Sequence, residues 1–449
     1  MSLKQPVFSV YPRWRPLLST ESSTAEIQRS ISQHGNNHAI SLSPPPITNR
    51  PQTWKSASSF STVFNPEDSN QAVFNVVVAP ALSHVMAGAT CNFFAYGHSG
   101  SGKTHTIIGY NDKDEAQLGL CLSAAKQLFQ ALQELDQESA QEGLVVAVRL
   151  YELRGKYAFD LLNRGNRCHV READGKTHIR GETEMLEDGK VRVRPIVARP
   201  CRSFEELRDT VREGLGLRET GSSTIHDESS RTHAVIELEI ASDALLSARD
   251  AVIERESELV PVGKRATDIY IEEHQASFTW HSDGTYIMNP NRPLNQTRID
   301  AAEAEKREYE GRLKDAESAV ADCFTTSKHS FLGGRFVFVD LAGSEYLDRA
   351  NGAASNAPSQ TPQERKQGKE INTDLFALKE VIRARASGQA RIPYRSSPLT
   401  MVLRNLFQAT GEGYSAMILT VSPSQSQFAA TVNTLKYGNL VGSAGQSKP

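Results

Sequence analysis

Short apolar runs alternate with helical stripes along this chain. Val7 to Val10 reads as a strand, followed by Pro12-Arg13-Trp14-Arg15-Pro16. Phe93 to Tyr96 is a short apolar run that breaks into glycines. Val145 to Tyr151 and Ala234 to Ile240 are rich in β-formers, and Arg335 to Asp340 is an apolar strand ending in an acid. Between these runs, Leu118, Cys121, Leu122, Ala125, Leu128, Phe129 and Leu132 predict a helix from Ala116 to Asp136. Ser203 caps another that runs to Leu217, with Glu206 completing a capping box. Asn65-Pro66-Glu67-Asp68 predicts a helix start, with the helix running toward Gly88 and kinking at Pro80. Residues 168–200 read as short strands joined by turns, and residues 19–53 as a Ser/Pro-rich loop insertion. The alternation indicates an α/β fold, a sheet covered by helices on both faces.

The stretch 242–332 stands apart. Leu245, Ala248, Val252 and Leu259 lie at helical spacing, as do Ile299, Ala302, Tyr309, Leu313, Ala316 and Val320. Two β-rich pieces, from Phe278 and from Thr285, flank Ser282-Asp283-Gly284, a hairpin signal. An inserted helix–hairpin–helix is predicted, either a tolerated surface insertion or a site for an unknown partner.

Composition narrows the class. The 449 residues are 39% hydrophobic and 23% charged, the balance of a globular protein. Lys+Arg 50 against Asp+Glu 53 gives a net charge of -3, so neither nucleic acid nor an anionic membrane is an expected partner. Cys91, Cys121, Cys168, Cys201 and Cys323 are scattered without a C-x-x-C pair, so they read as reduced thiols. The start of the chain has no charged-then-apolar signal pattern, and Asn75, Pro80, His84 and Asn92 interrupt the most apolar region. A cytoplasmic or nuclear location is expected.

The candidate chemistry is concentrated at Gly97-His98-Ser99-Gly100-Ser101-Gly102-Lys103-Thr104, which fits G-x-x-x-x-G-K-[ST] after an apolar strand. Such glycines let backbone N–H groups turn inward around phosphate oxygens. Lys103 would reach the β- and γ-phosphates, and the Thr104 hydroxyl would ligate Mg²⁺. Ser229-Ser230-Arg231 precedes a strand, where paired hydroxyls beside an arginine can sense a γ-phosphate. Taken alone, it reads equally as a polar turn. Asp340, at a strand tip, suits the carboxylate on the Mg²⁺ side, and the Gly343 N–H could report the γ-phosphate. No Asn-Lys-x-Asp motif for reading guanine occurs.

In this order the motifs resemble those of kinesin motor domains, from near Val7 to about Gly442. The loop AYGHSGSGKTHT, the segment ESSRTH and the segment VDLAGSE are similar to the kinesin phosphate loop, switch I and switch II. Ile371 to Leu378 and Ile392 to Thr400 resemble the long helix lying against tubulin and the loop beside it. Val421-Ser422-Pro423 and Thr434 to Gly438 resemble the last strand and helix. The resemblance implies one P-loop NTPase domain over 1–449 with ATP and Mg²⁺ as cofactors, hydrolysing ATP and binding microtubules, hence cytoskeletal or spindle-associated. By the same resemblance, Arg13 and Pro16 flank the adenine and His105 lies near the edge of the base. Thr104 ligates Mg²⁺ directly, while Ser229 and Asp340 act through its waters. Ser230 and the Gly343 amide contact the γ-phosphate, and Arg231 pairs with Glu345 over the attacking water. Lys366, Lys369, Asn372, Tyr394, Arg395 and Arg404 are the implied tubulin-facing residues. His226 stands where the family usually has Asn, and Ser396 and Pro398 stand where it has Asp and Lys, which removes a positive contact. Ser397 still caps a helix that Pro398 begins. No sustained heptad run follows the last helix, so no dimerising coiled coil is expected, and 443–449 read as a disordered tail.

Overall fold

A computed structural model describes residues 8–21, 24–44, 53–109, 114, 117–139, 143–173, 175–186, 189–220, 231–280, 284–344, 362–407 and 413–444. Its strands are β1 (Ser9–Trp14), β2 (Arg29–His34), β3 (Asn37–Leu42), β4 (Trp54–Lys55), β5 (Thr90–Tyr96), β6 (Leu144–Arg154), β7 (Tyr157–Asp160) and β8 (Asn166–Ala173). They continue with β9 (Lys176–Met185), β10 (Val191–Pro195), β11 (Arg199–Cys201), β12 (His233–Ser242), β13 (Phe278–Trp280), β14 (Tyr286–Met288), β15 (Arg335–Asp340) and β16 (Ser415–Val421). The α-helices are α1 (Asn70–Val77), α2 (Leu82–Val85), α3 (Lys103–Ile107), α4 (Leu120–Ser139), α5 (Phe204–Thr220), α6 (Asp243–Ser277), α7 (Gln296–Thr326), α8 (Pro362–Ala386), α9 (Pro398–Phe407) and α10 (Phe428–Ser443).

The main sheet has 11 strands in the order β1-β16-β5-β15-β12-β6-β7-β8-β9-β10, with β11 pairing β6. Its first four strands are parallel, and from β12 outward neighbours are antiparallel. Side chains alternate across it, as the pleat requires. In β5, Phe94 and Tyr96 join the core formed with α8, α9 and α10. Cys91, Phe93 and Ala95 join the core formed with α1, α4 and α5. Helices therefore cover both faces. Each large side chain so buried contributes about 1.5–3 kcal/mol.

Several expectations need correction. The first strand reaches Trp14, because Pro12 turns its backbone away from β16, toward residues 61–64, where its carbonyl accepts from the Phe64 N–H at 2.8 Å, so it loses no ladder hydrogen bond to β16. Residues 19–53 are not merely a loop: β2, β3 and β4 form a small antiparallel sheet, with Ala39, Ile40 and Leu42 buried. The helix expected at Asn65 begins at Asn70, capped by Ser69. Asp68 ties residues 65–68 into a turn, its carboxylate accepting from the Asn65 N–H at 2.6 Å. Pro80 interrupts that helix rather than kinking it, and a 3₁₀ turn separates α1 from α2. The strands within 168–200 are longer than expected; β8 has 8 residues and β9 has 10. At α5 the Ser203 hydroxyl accepts from the Glu206 N–H at 3.1 Å, and the Glu206 carboxylate accepts from the Arg202 N–H at 2.7 Å. Ser397 caps α9 through the Thr400 N–H at 3.2 Å.

Within 242–332, α6 and α7 pack against each other and the β13–β14 hairpin joins them. Helix α6 also lies on β10. Ion pairs fasten it there, Lys190 to Glu254 at 2.6 Å and Arg180 to Glu256 at 3.0 Å. Ser282 and Asp283 of the expected turn fall outside the described residues, as do 445–449. No helix among the described residues is long and apolar enough to cross a membrane.

Candidate nucleotide site

The glycine-rich loop leaves β5 at the C-terminal end of the parallel strands, where α/β sheets bind ligands. Its backbone needs glycine. Gly100 and Gly102 have φ of +71° and +101°, and a Cβ on Gly97 would collide with the Thr420 carbonyl of β16. The Ser101 hydroxyl bridges the loop to the sheet, donating to the His98 carbonyl at 2.7 Å and sitting 2.7 Å from the Thr420 hydroxyl. Lys103 is buried, and its Nζ donates to the Gly97 and His98 carbonyls at 3.1 and 2.8 Å. The ammonium is thus held inside the curl of the loop.

The loop meets the tip of β15. The Thr104 hydroxyl donates to Asp340 Oδ2 at 2.9 Å, so two of the three expected Mg²⁺-side groups touch. Asp340 is 2% exposed, and its Oδ1 has no hydrogen-bond partner among the described residues. A buried carboxylate oxygen without a donor is costly unless a cation or its waters complete it. The residues therefore fit Mg²⁺, with the Thr104 hydroxyl and Asp340 as its protein-side groups. Among the described residues no cluster of three or more His, Cys, Asp or Glu could hold a metal, so these two groups would fill only part of its shell. Beyond Asp340, the Ser344 N–H donates to the Gly97 carbonyl at 3.3 Å, which brings the segment after Gly343 against the phosphate loop.

One participant was missed from sequence. Arg218, in the last turn of α5, is buried and donates to Asp340 Oδ2 at 3.1 Å and to the Thr232 carbonyl at 3.0 Å. The Thr232 hydroxyl donates in turn to Glu152 at 3.0 Å. A lone arginine near a helix C-terminus reads as a solvated cation, and no spacing in the sequence marks it otherwise. The network links α5, β6, β15 and the residue just before β12 at one point.

The expected adenine side is a cavity lined by Arg13, Pro16, Pro66, Gly102 and His105, among others. Arg13 is buried and bonded to Asn70 Oδ1 at 2.6 Å and to the Thr106 hydroxyl at 2.8 Å, and burial lowers its pKa to about 10. It braces the wall from behind. Arg15, unassigned from sequence, donates to the Gly100 carbonyl at 2.9 Å and pairs with Glu21 at 2.7 Å. The His98 ring faces inward: its Nδ1 lies 2.7 Å from the Ser99 carbonyl, and burial, then the Lys103 charge, holds its pKa down at about 4. Ser99 is half-buried. Arg231 sits just before β12, also half-buried. His226, Ser229, Ser230 and Glu345 lie outside the described residues, so their expected contacts are not described.

On the expected tubulin-facing side, Lys366 and Lys369 are exposed on α8 and Asn372 is half-buried. Tyr394 is 5% exposed and belongs to the core with α8 and α9, so its ring supports the loop rather than presenting itself. Arg395 and Arg404 both reach Glu172 of β8, at 2.6 and 2.9 Å.

A phosphate loop closing on a strand-tip aspartate, in a mixed sheet with helices on both faces, defines a P-loop nucleoside triphosphatase fold. The kinesin motor domain profile matches residues 13–261 and 318–443, and the chain belongs to that family. It is 28% identical over 384 residues to mouse kinesin-like protein KIF24, covering 85% of this chain and 20% of the relative. To kinesin-like protein KIF25 of Macaca fascicularis it is 27% identical, covering 84% and 56%. To kinesin-like protein KIN-13B of Arabidopsis thaliana it is 25% identical, covering 96% and 46%. The chain thus spans from a fifth to about half of the length of these relatives. A solved structure described as a fast kinesin superposes with a TM-score of 0.60 at 20% identity, covering 100% of this chain and 95% of that one, which shows the fold.

Proposed function

We propose that the chain is an ATP-hydrolysing, microtubule-binding motor domain in which two switch segments couple the γ-phosphate to α8. The convergence of Thr104, Asp340 and Arg218 beside a lysine-filled phosphate loop carries this reading. Lys103 and the loop amides would bind the phosphates and Thr104 would hold Mg²⁺, which when bound supplies charge neutralisation at the β- and γ-oxygens. Ser230 and the Gly343 amide would take the γ-phosphate. Arg231 and Glu345 would close over the attacking water, placing donors where negative charge develops. Loss of the γ-phosphate would release the segment after Asp340, which leads into α8. A cytoskeletal location follows from the same reading.

Steady-state ATPase with and without microtubules tests it. Stimulation by microtubules is expected, and Glu345→Ala should bind ATP without turning it over. Normal turnover in that variant would remove the assigned role. A second reading, a non-motile nucleotide-gated binding module, is favoured by the pairing of Arg395 and Arg404 with Glu172 and by Ser396 and Pro398 replacing charged family residues. Tight nucleotide binding with no stimulation would select it.

A further inference from the structure

We propose that Glu172 is a built-in competitor on the polymer-facing surface: its carboxylate occupies Arg395 and Arg404, and an acidic protein surface binds them only by displacing it. The inference rests on the microtubule-binding reading above and adds what regulates that surface. Arg395 lies in the short turn before α9, and its side chain is 79% exposed, within reach of a partner. Yet its Nε donates to Glu172 Oε2 at 2.6 Å and its second guanidinium nitrogen to Oε1 at 2.8 Å, a two-pronged pairing. Arg404, in the last turn of α9, adds a third bond to Oε1 at 2.9 Å. One carboxylate therefore satisfies two guanidiniums on adjacent elements.

The competitor is held in place by its own strand pair. Glu172 of β8 stands opposite Thr177 of β9. Thr177 is tied to α9: its hydroxyl donates to the Met401 carbonyl at 2.7 Å, and its carbonyl accepts from Asn405 Nδ2 at 2.7 Å. The hairpin delivers the carboxylate to the arginines already ordered, so little side-chain entropy opposes the pairing, unlike most exposed ion pairs. Consistent with this, the Arg395 hydrogen bond, followed by Arg404, pulls the Glu172 pKa down to about 2, so the carboxylate keeps its charge throughout the working pH range. The lysines offered by α8 differ. Lys366 and Lys369 are exposed and have no ion pair among the described residues. The loop arginines are therefore conditional contacts. Ser396 and Pro398 supply no further cation between them.

Glu172→Gln keeps the side chain's size and removes its charge. It is expected to tighten co-sedimentation with polymerised tubulin about 3- to 10-fold at low salt, and to steepen the salt dependence, because two cations become available to the partner. The gain should shrink in Glu172→Gln/Arg395→Gln and vanish when Arg404→Gln is added. Poly-L-glutamate, followed by fluorescence anisotropy, probes the same arginines without tubulin and should show the same ordering. If Glu172→Gln melts early, Glu172→Asp, which withdraws the carboxylate by one methylene, should give a smaller gain in both assays. Unchanged affinity for both polymers in a folded variant overturns the proposal. A gain on poly-L-glutamate with no tubulin pelleting by either protein would leave the competitor standing and refute the microtubule reading.

Discussion

Strand β15 carries a buried polar cluster at each of its ends, and the two are built differently. At its start, Arg335, Arg149 and Arg249 surround Glu239 of β12, which is 0% exposed, at 3.2, 2.6 and 2.8 Å. Although burial pulls the Glu239 pKa upward, these three charges hold it well below the usual carboxylate range. At its far end, about 17 Å away, Asp340 receives Thr104 and Arg218 through one oxygen while the other has no partner among the described residues. In the first cluster both Glu239 oxygens are taken, and the cluster serves cohesion, since Arg249 belongs to α6 and fastens that helix to the sheet. The second leaves one carboxylate oxygen without a partner among the described residues, beside the phosphate loop. Burial alone does not distinguish function from structure; here the difference is that Glu239 has both carboxylate oxygens bonded, whereas Asp340, beside the phosphate loop, has one.

The contrast can be broken from either side. Lys103→Ala should have the largest effect, lowering ATP affinity about a hundredfold or more by titration calorimetry, with the fold retained. Glu239→Ala should do the reverse. Three half-buried guanidiniums would lose their shared carboxylate, with Glu237 left near two of them, costing about 1–3 kcal/mol in urea unfolding, whereas nucleotide affinity of the folded fraction should persist. Equal losses of binding in both variants would erase the distinction.

A smaller effect sharpens it. His98 is buried with its pKa lowered from 6.5 to about 4. Between those values the unfolded chain takes up a proton that the folded loop refuses, so stability is full above pH 6.5 and falls as pH drops toward 4. The loss from pH 7 to pH 5 should be about 2 kcal/mol, measured by urea midpoints, and should shrink in His98→Gln. An identical pH profile in that variant would refute the assignment.

Much of this was legible in the sequence, for physical reasons. A phosphate loop needs glycines at fixed spacing, and a strand tip needs an apolar run before its acid, so Gly97, Lys103, Thr104 and Asp340 could be read directly. Both long helices of α6 and α7 and their hairpin followed from periodicity. They straddle residues 262–317, which the family profile does not match. Arg218 could not be read, because only tertiary packing turns a helix-end arginine into a buried partner of Asp340. Nor could Glu172, whose two arginines are 223 and 232 residues away. The sheet of β2, β3 and β4 was hidden by Ser- and Pro-rich neighbours, and the start of α1 by a turn that imitates a cap at Asn65.

The most direct test of the shared site is a titration of wild type and Asp340→Asn with a fluorescent ATP analogue, each with Mg²⁺ and with the metal chelated. The account predicts saturable one-to-one binding by wild type that weakens at least about tenfold without Mg²⁺, and a much smaller metal effect in the variant. Wild-type binding indifferent to Mg²⁺, or an undiminished metal effect in Asp340→Asn, would contradict it.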